Sequence, residues 1–241
     1  MLDTLPRPFG KFSPNGAHLL LTEHALDTAA VFIQLSRTPS GFPHFSDAQR
    51  LRLTALSYLH DVGKCQFGYQ SRYWPDADAE AVTGHIWEAA PLVLDAAAQA
   101  IPDWWVLLQD IAQWGTDLDG TLRYLVAALS YSETRLTPAG YLAHSPNHLC
   151  GLWRNPVSHE NLAESIGVFR KTFSGAFGEA AGLPDFDAHR ERFRLLVGVA
   201  DTLASRETLF PLGERRDFPR KDAAVAAREH FLREYPELPP L

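Results

Sequence analysis

The segment FRLLVGVADTLAS, within residues 186 to 205, constrains this chain most. It is apolar almost all round, the pattern of a helix surrounded by other elements rather than laid on a surface. It also carries Asp201. A carboxylate inside such a helix needs a cation, a cluster of donors or a metal to offset its lost hydration. The rest of the chain has to bring that partner to it. One of the chain's arginines would suffice; so would a metal shared with other ligands.

A second unusual pair stands at the end of another apolar run. Leu51, Ala55, Tyr58, Leu59 and Val62 have the spacing of a buried helical face, and His60-Asp61 closes the run ahead of Gly63 and Lys64. Two metal ligands of different charge thus arrive from the core side. The spacing predicts a helix from 47 to 62, capped by Ser46 or Asp47, after which Gly63 loosens it and Lys64 brings a charge able to meet a phosphate.

Taken in order, the chain reads as helices joined by loops. A first helix is predicted over 17 to 35, where His24 shares an inward stripe with Thr28, Val31 and Leu35. Residues 65 to 82 read as a loop rich in aromatics, among them Phe67, Tyr69, Tyr73 and Trp74. A helix opens at His85 and is bent or restarted by Pro91. Further helices are expected near 103–114, 119–130, 160–176, 186–205 and 220–234, with an irregular stretch over 132 to 158. No strand and no internal repeat is expected. The fold class is all-α, read as one domain over 1–241 with a core at about 18–211 and a C-terminal helix and Pro-rich tail at 212–241.

Composition excludes several functions. With 241 residues, 46% hydrophobic and 21% charged, the chain suits a globular domain of ordinary make-up. Cys65 and Cys150 cannot form a disulfide framework, and no CxxC pair suggests zinc. Met1 to Lys11 lacks the apolar core of a signal peptide, and no run is long enough to cross a membrane, so the expected home is the cytoplasm. The net charge of -7, from 29 acidic and 22 basic residues, argues against tight nucleic-acid binding through a broad basic face. It leaves room for a nuclease handed its substrate by a partner.

Taken singly, His24 reads as a satisfied core histidine and His85 as a helix-start residue facing water. Taken together, His24, His60, Asp61, His85 and Asp201 put metal-capable groups on separate helices, the way helical bundles build metal sites.

The order H…HD…D resembles the HD superfamily of metal-dependent phosphohydrolases. The segments EHALDTAAV, LHDVGKCQFGYQSR, TGHIWEAAPLV and VADTLAS followed by Phe210-Pro211 are similar to the HD nuclease of type I CRISPR systems. That resemblance spans roughly residues 18 to 211. It implies an HD-type helical bundle with a metal site in its core and a hydrolase cutting single-stranded DNA in antiviral defence. The domain would work beside a helicase and a CRISPR effector complex. No GxxxxGK[ST] loop is present, so the chain is not expected to move DNA itself.

By the same resemblance His24, His60, Asp61 and Asp201 would hold one divalent ion, and His85 would hold a second bridged through Asp61. Asp61 and Lys64 would be the catalytic pair, with Lys64 steadying the scissile phosphate. Mixed imidazole and carboxylate ligation suits Mn, Fe, Co or Ni. The family's paired histidines for the second ion are replaced here by Tyr131, Ser132 and Glu133. The expected site is therefore asymmetric, with one firm metal and a second that is weak or absent. Glu133, His144 and His148 are further candidates to complete it. Two other functions stay open: an HD phosphohydrolase acting on nucleotides, and a degenerate HD domain that docks partners.

Overall fold

The computed structural model describes residues 8–12, 17–72, 84–94, 96–115, 118–131, 138–144, 146–178, 182–212 and 217–236. The all-α expectation holds apart from one small sheet. β1 (Phe9–Phe12) and β2 (His18–Leu20) pair antiparallel, with an irregularity between Phe9 and Lys11. Strands this short leave too few alternating positions for a period of two to be read.

The pairing sets the start of α1 (Leu21–Ser36), four residues later than predicted, because 18 to 20 are used by the sheet. The Leu20 amide donates to the Glu23 carboxylate at 2.9 Å and closes the helix start. α2 (Asp47–Tyr58) begins on Ser46, whose hydroxyl accepts from the Gln49 amide while the Gln49 side chain accepts from the Ser46 amide.

Three expectations are corrected. First, α2 stops at Tyr58, and His60-Asp61 lies on a tighter 3-10 turn, Leu59–Cys65. Second, the aromatic stretch contains α3 (Phe67–Ser71), while Tyr73 and Trp74 lie outside the described residues. Tyr69 is buried, with its ring edge-on to His85 and the Lys64 and Arg72 charges over its face. Third, the helix expected from His85 is broken into α4 (His85–Ala89), α5 (Pro91–Leu94) and a 3-10 stretch, Ala96–Ala100. Pro91 has no amide to continue the ladder.

α6 (Pro102–Ala112) and α7 (Leu118–Leu129) follow as predicted. Two short helices, α8 (Pro138–Ala143) and α9 (Pro146–Leu152), occupy part of the stretch expected to be irregular. α10 (Pro156–Thr172) starts earlier than predicted, because Asn155 caps it and Pro156 takes its first position. α11 (Phe186–Ala204) is capped by Asp185, and α12 (Lys221–Glu234) completes the described elements.

α11 packs on α1 and α7, and α1 also packs on α2 and α12. Trp104, Trp114, Tyr58, Phe32, Phe169 and Phe193 fill the resulting core. α11 is not surrounded on every side as its composition suggests: Leu195 is 46% exposed. α12 is tied to α1 by Arg220 and Asp27, buried charges that meet at 2.9 Å without the angles of a hydrogen bond. No helix among the described residues is long and apolar enough to cross a membrane.

Candidate metal centre

The turn that replaces the end of α2 decides the geometry of the site. A 3-10 segment has about three residues per turn, so side chains at i and i+3 eclipse. Asp61 and Lys64 are such a pair, and the Lys64 ammonium lies 2.5 Å from Asp61 Oδ2. Both are buried, so the Lys64 charge faces Asp61 rather than solvent.

Gln70 holds this turn against the hairpin. Its amide nitrogen donates to the Lys64 and Phe9 carbonyls at 2.6 and 3.1 Å, and its oxygen accepts from the Phe9 amide at 2.8 Å. Gly63 does not simply loosen a helix. A Cβ there would come within 1.8 Å of the His85 carbonyl oxygen, so the bare glycine lets the start of α4 press onto the turn.

His24 from α1, His60 and Asp61 from the turn, and Asp201 from the last turns of α11 converge. Their ligand atoms all lie within 4.8 Å of one another. His24 Nε2 is 2.9 Å from Asp201 Oδ1 and 3.4 Å from Asp61 Oδ2. His60 Nε2 is 3.3 Å from Asp61 Oδ2 and 3.6 Å from Asp201 Oδ1. The His60 Nδ1 donates to the Ser57 carbonyl at 2.9 Å, which turns Nε2 with its lone pair toward the carboxylates.

His85, at the first position of α4, takes the other side of Asp61: its Nε2 is 3.1 Å from Oδ1. Lys11 of β1 stands at the rim, 31% exposed, with its ammonium 3.6 Å from Asp201 Oδ1. Tyr131, just past α7, donates its hydroxyl to Asp201 Oδ2 at 2.6 Å. Neither Lys11 nor this role of Tyr131 was legible in the sequence, because neither has a partner nearby in the chain.

Electrostatics follow from these contacts. Burial raises the cost of ionising Asp61, but Lys64, His60 and His85 outweigh it and hold the carboxyl well below its ordinary range. Burial also opposes the Asp201 charge, and the neighbouring His24 and His60 imidazoles overcome it, again lowering the value. His60 is pushed up to about 9: burial acts against its charged form, and the Asp61 and Asp201 carboxylates prevail.

The residues fit a divalent cation. His60 Nε2, beside Asp61 Oδ2 and Asp201 Oδ1, is buried without a hydrogen-bond partner, and so are Asp61 Oδ1 and His85 Nε2, which face each other. Nitrogen and oxygen atoms left unsatisfied around a buried carboxylate are what a divalent cation accepts. His144 and His148 are not part of this group: both are exposed, and His144 stacks on Trp87 with ring centroids 3.8 Å apart. Glu133 and Ser132 lie outside the described residues.

The helical fold presents His24, His60-Asp61 and Asp201 from separate elements to one point, the H…HD…D order noted in the sequence. Residues 9–91 match the family described as "Cas3, HD domain". The fold is similar to the HD domain of Cas3 from Thermus thermophilus, solved in the presence of Ni2+. That likeness has 20% identity and a TM-score of 0.58, covering 90% of this chain and 84% of that one. It is also similar to a structure of a CRISPR-associated protein, at 16% identity and a TM-score of 0.63. There it covers 98% of this chain and only 27% of the longer one. No curated protein matches the chain. Residues 9–91 therefore resemble the HD domain of Cas3, and the helical fold of most of the chain is one that an HD domain also adopts. The family match includes His24, His60, Asp61 and His85 and stops well before Asp201, which joins them only in space.

Proposed function

We propose that the chain is a metal-dependent phosphodiesterase, a CRISPR-associated HD nuclease that cuts single-stranded DNA in the cytoplasm, with a helicase and an effector complex delivering the strand. The observation that carries this reading is the convergence of two imidazoles and two carboxylates within 4.8 Å, with His85 on the far oxygen of Asp61. His24, His60, Asp61 and Asp201 would hold one ion, and Asp61 with His85 a second, weaker one.

A bound divalent ion supplies an acidified water and positive charge for the phosphoryl oxygens. The chain's own residues do the rest. His60, steered by the Ser57 carbonyl, offers Nε2 in a fixed direction. Lys64 balances the Asp61 charge from within the core. Lys11 is the ammonium that stands partly exposed beside Asp201, and it is placed to meet a substrate phosphate. The net charge of -7 fits a domain that receives its strand rather than searching for it.

The test is metal content per chain together with cleavage of circular single-stranded DNA across Mn, Fe, Co, Ni and Mg. Nicking of the circle with an Mn-to-Ni ion, and none of intact duplex, supports the proposal. Hydrolysis of free nucleotides without DNA cleavage would replace it with a nucleotide phosphohydrolase. Bound metal with no hydrolysis of either would make the domain a docking module.

A further inference from the structure

We propose that Tyr131 is a positioning residue of the metal centre, holding the Asp201 carboxylate so that one chosen oxygen serves as ligand; this rests on the metal-centre reading above. An aspartate carboxylate turns about a broad, two-fold torsion and can offer either oxygen or both. Here the two oxygens are assigned different tasks. Oδ1 faces His24 Nε2 at 2.9 Å and His60 Nε2 at 3.6 Å. Oδ2 accepts the Tyr131 hydroxyl at 2.6 Å, a short bond of the charge-assisted kind.

Two further observations give the tyrosine a prepared seat. Its ring meets His60 edge-on, with centroids 5.6 Å apart and planes at 65°, so it supports a second member of the cluster. α11 is cut back to receive it. A Cβ on Gly198 would stand 3.2 Å from Tyr131 Cδ2, tighter than ordinary packing. Gly198 lies three residues before Asp201 and shares its helix face. One short stretch of α11 therefore supplies both the carboxylate and the room for the group that orients it.

Tyr131 also lines a largely apolar cavity of about 500 Å³ between α11 and α12, where Leu195, Val199 and Phe231 form other walls. The ring stands between that cavity and Asp201. Without the hydroxyl, the Asp201 carboxylate would lose the contact that fixes Oδ2 and with it part of the hold on its torsion.

Titration of Co2+ into the full chain tests this, read by calorimetry and by the visible spectrum of the bound ion. Tyr131→Phe keeps the ring and removes the hydroxyl. It should weaken binding roughly 10–100-fold, the usual loss when a group supporting a ligand is removed, and it should change the Co2+ spectrum. Gly198→Ala retains the hydroxyl but displaces the ring, and should shift both readouts in the same direction by less. If the wild type binds and Tyr131→Phe matches it in affinity and spectrum, the tyrosine role is overturned while the metal centre stands. A weakened variant with an unchanged spectrum also overturns it, since that reports general loosening. No ion bound by the wild type would overturn both. Should Tyr131→Phe fail to fold, Gly198→Ala decides alone.

Discussion

His85 Nε2 lies 3.1 Å from Asp61 Oδ1, while Asp61 Oδ2 faces His24 and His60 at 3.4 and 3.3 Å. One buried carboxylate thus looks in two directions, toward a crowded side with two imidazoles and a sparse side with one. The asymmetric site expected from the sequence, with one firm ion and a second that is weak or absent, is a proposal that this division motivates.

Asp61→Asn should abolish stable metal retention. The side chain keeps its shape and loses the charge that both directions use. Metal content after purification should fall from near one ion per chain to roughly a tenth or less, in line with loss of a direct ligand exceeding the ~10–100-fold cost of losing a supporting one. Unchanged content would remove Asp61 from the site.

Gly63→Ala tests the seat of His85. The added methyl would overlap the His85 carbonyl, 1.8 Å from the ideal Cβ, and backbone cannot yield as a flexible side chain does. A loss of about 1–3 kcal/mol or more is expected from such overpacking. The start of α4 should move away from Asp61. Urea melts would measure the first effect. A crystal structure of the variant with the His85–Asp61 distance unchanged would contradict the second.

Lys11→Ala should act on substrate rather than on metal. Lys11 stands at the rim beside Asp201 and is partly exposed. If it meets a phosphate, its loss should weaken single-stranded DNA binding and lower the slope of log affinity against log salt by about one. Metal content should stay as it was. An unaltered salt slope would assign Lys11 to Asp201 alone.

Metal affinity should rise with pH. In the metal-free chain His60 is raised to about 9, because the carboxylates overcome the opposing effect of burial. A proton on Nε2 competes with a metal there. Affinity should therefore climb between about pH 7 and about pH 9, by at most about tenfold per unit, and level off above. The metal-free fold should show the opposite trend. A raised pKa stabilises fully below the unfolded value of about 6.5 and loses that contribution as pH passes about 9. Calorimetric titration and denaturant melts over that range would show the two trends crossing; parallel trends would contradict the assignment.

The sequence by itself determined the helical class, most helix starts and the ligand-type residues. Those properties are local. Ser46 announces the start of α2 from the next position, and the inward stripe of His24 repeats at helical spacing, whereas the Asn155–Pro156 start of α10 went unread. His-Asp is legible as a pair because its members adjoin.

Tertiary structure alone decided what surrounds those residues. The 3-10 turn that sets Lys64 on Asp61 replaced a predicted helix end, since a preference between two helical forms is small beside the packing of α4 on Gly63. The hairpin carrying Lys11 gains its order from Gln70, which binds Phe9 from 61 positions away. Tyr131 reaches Asp201 across 70 residues. Contacts that distant leave no period or spacing in a sequence, because the chain has to fold before the partners share a neighbourhood.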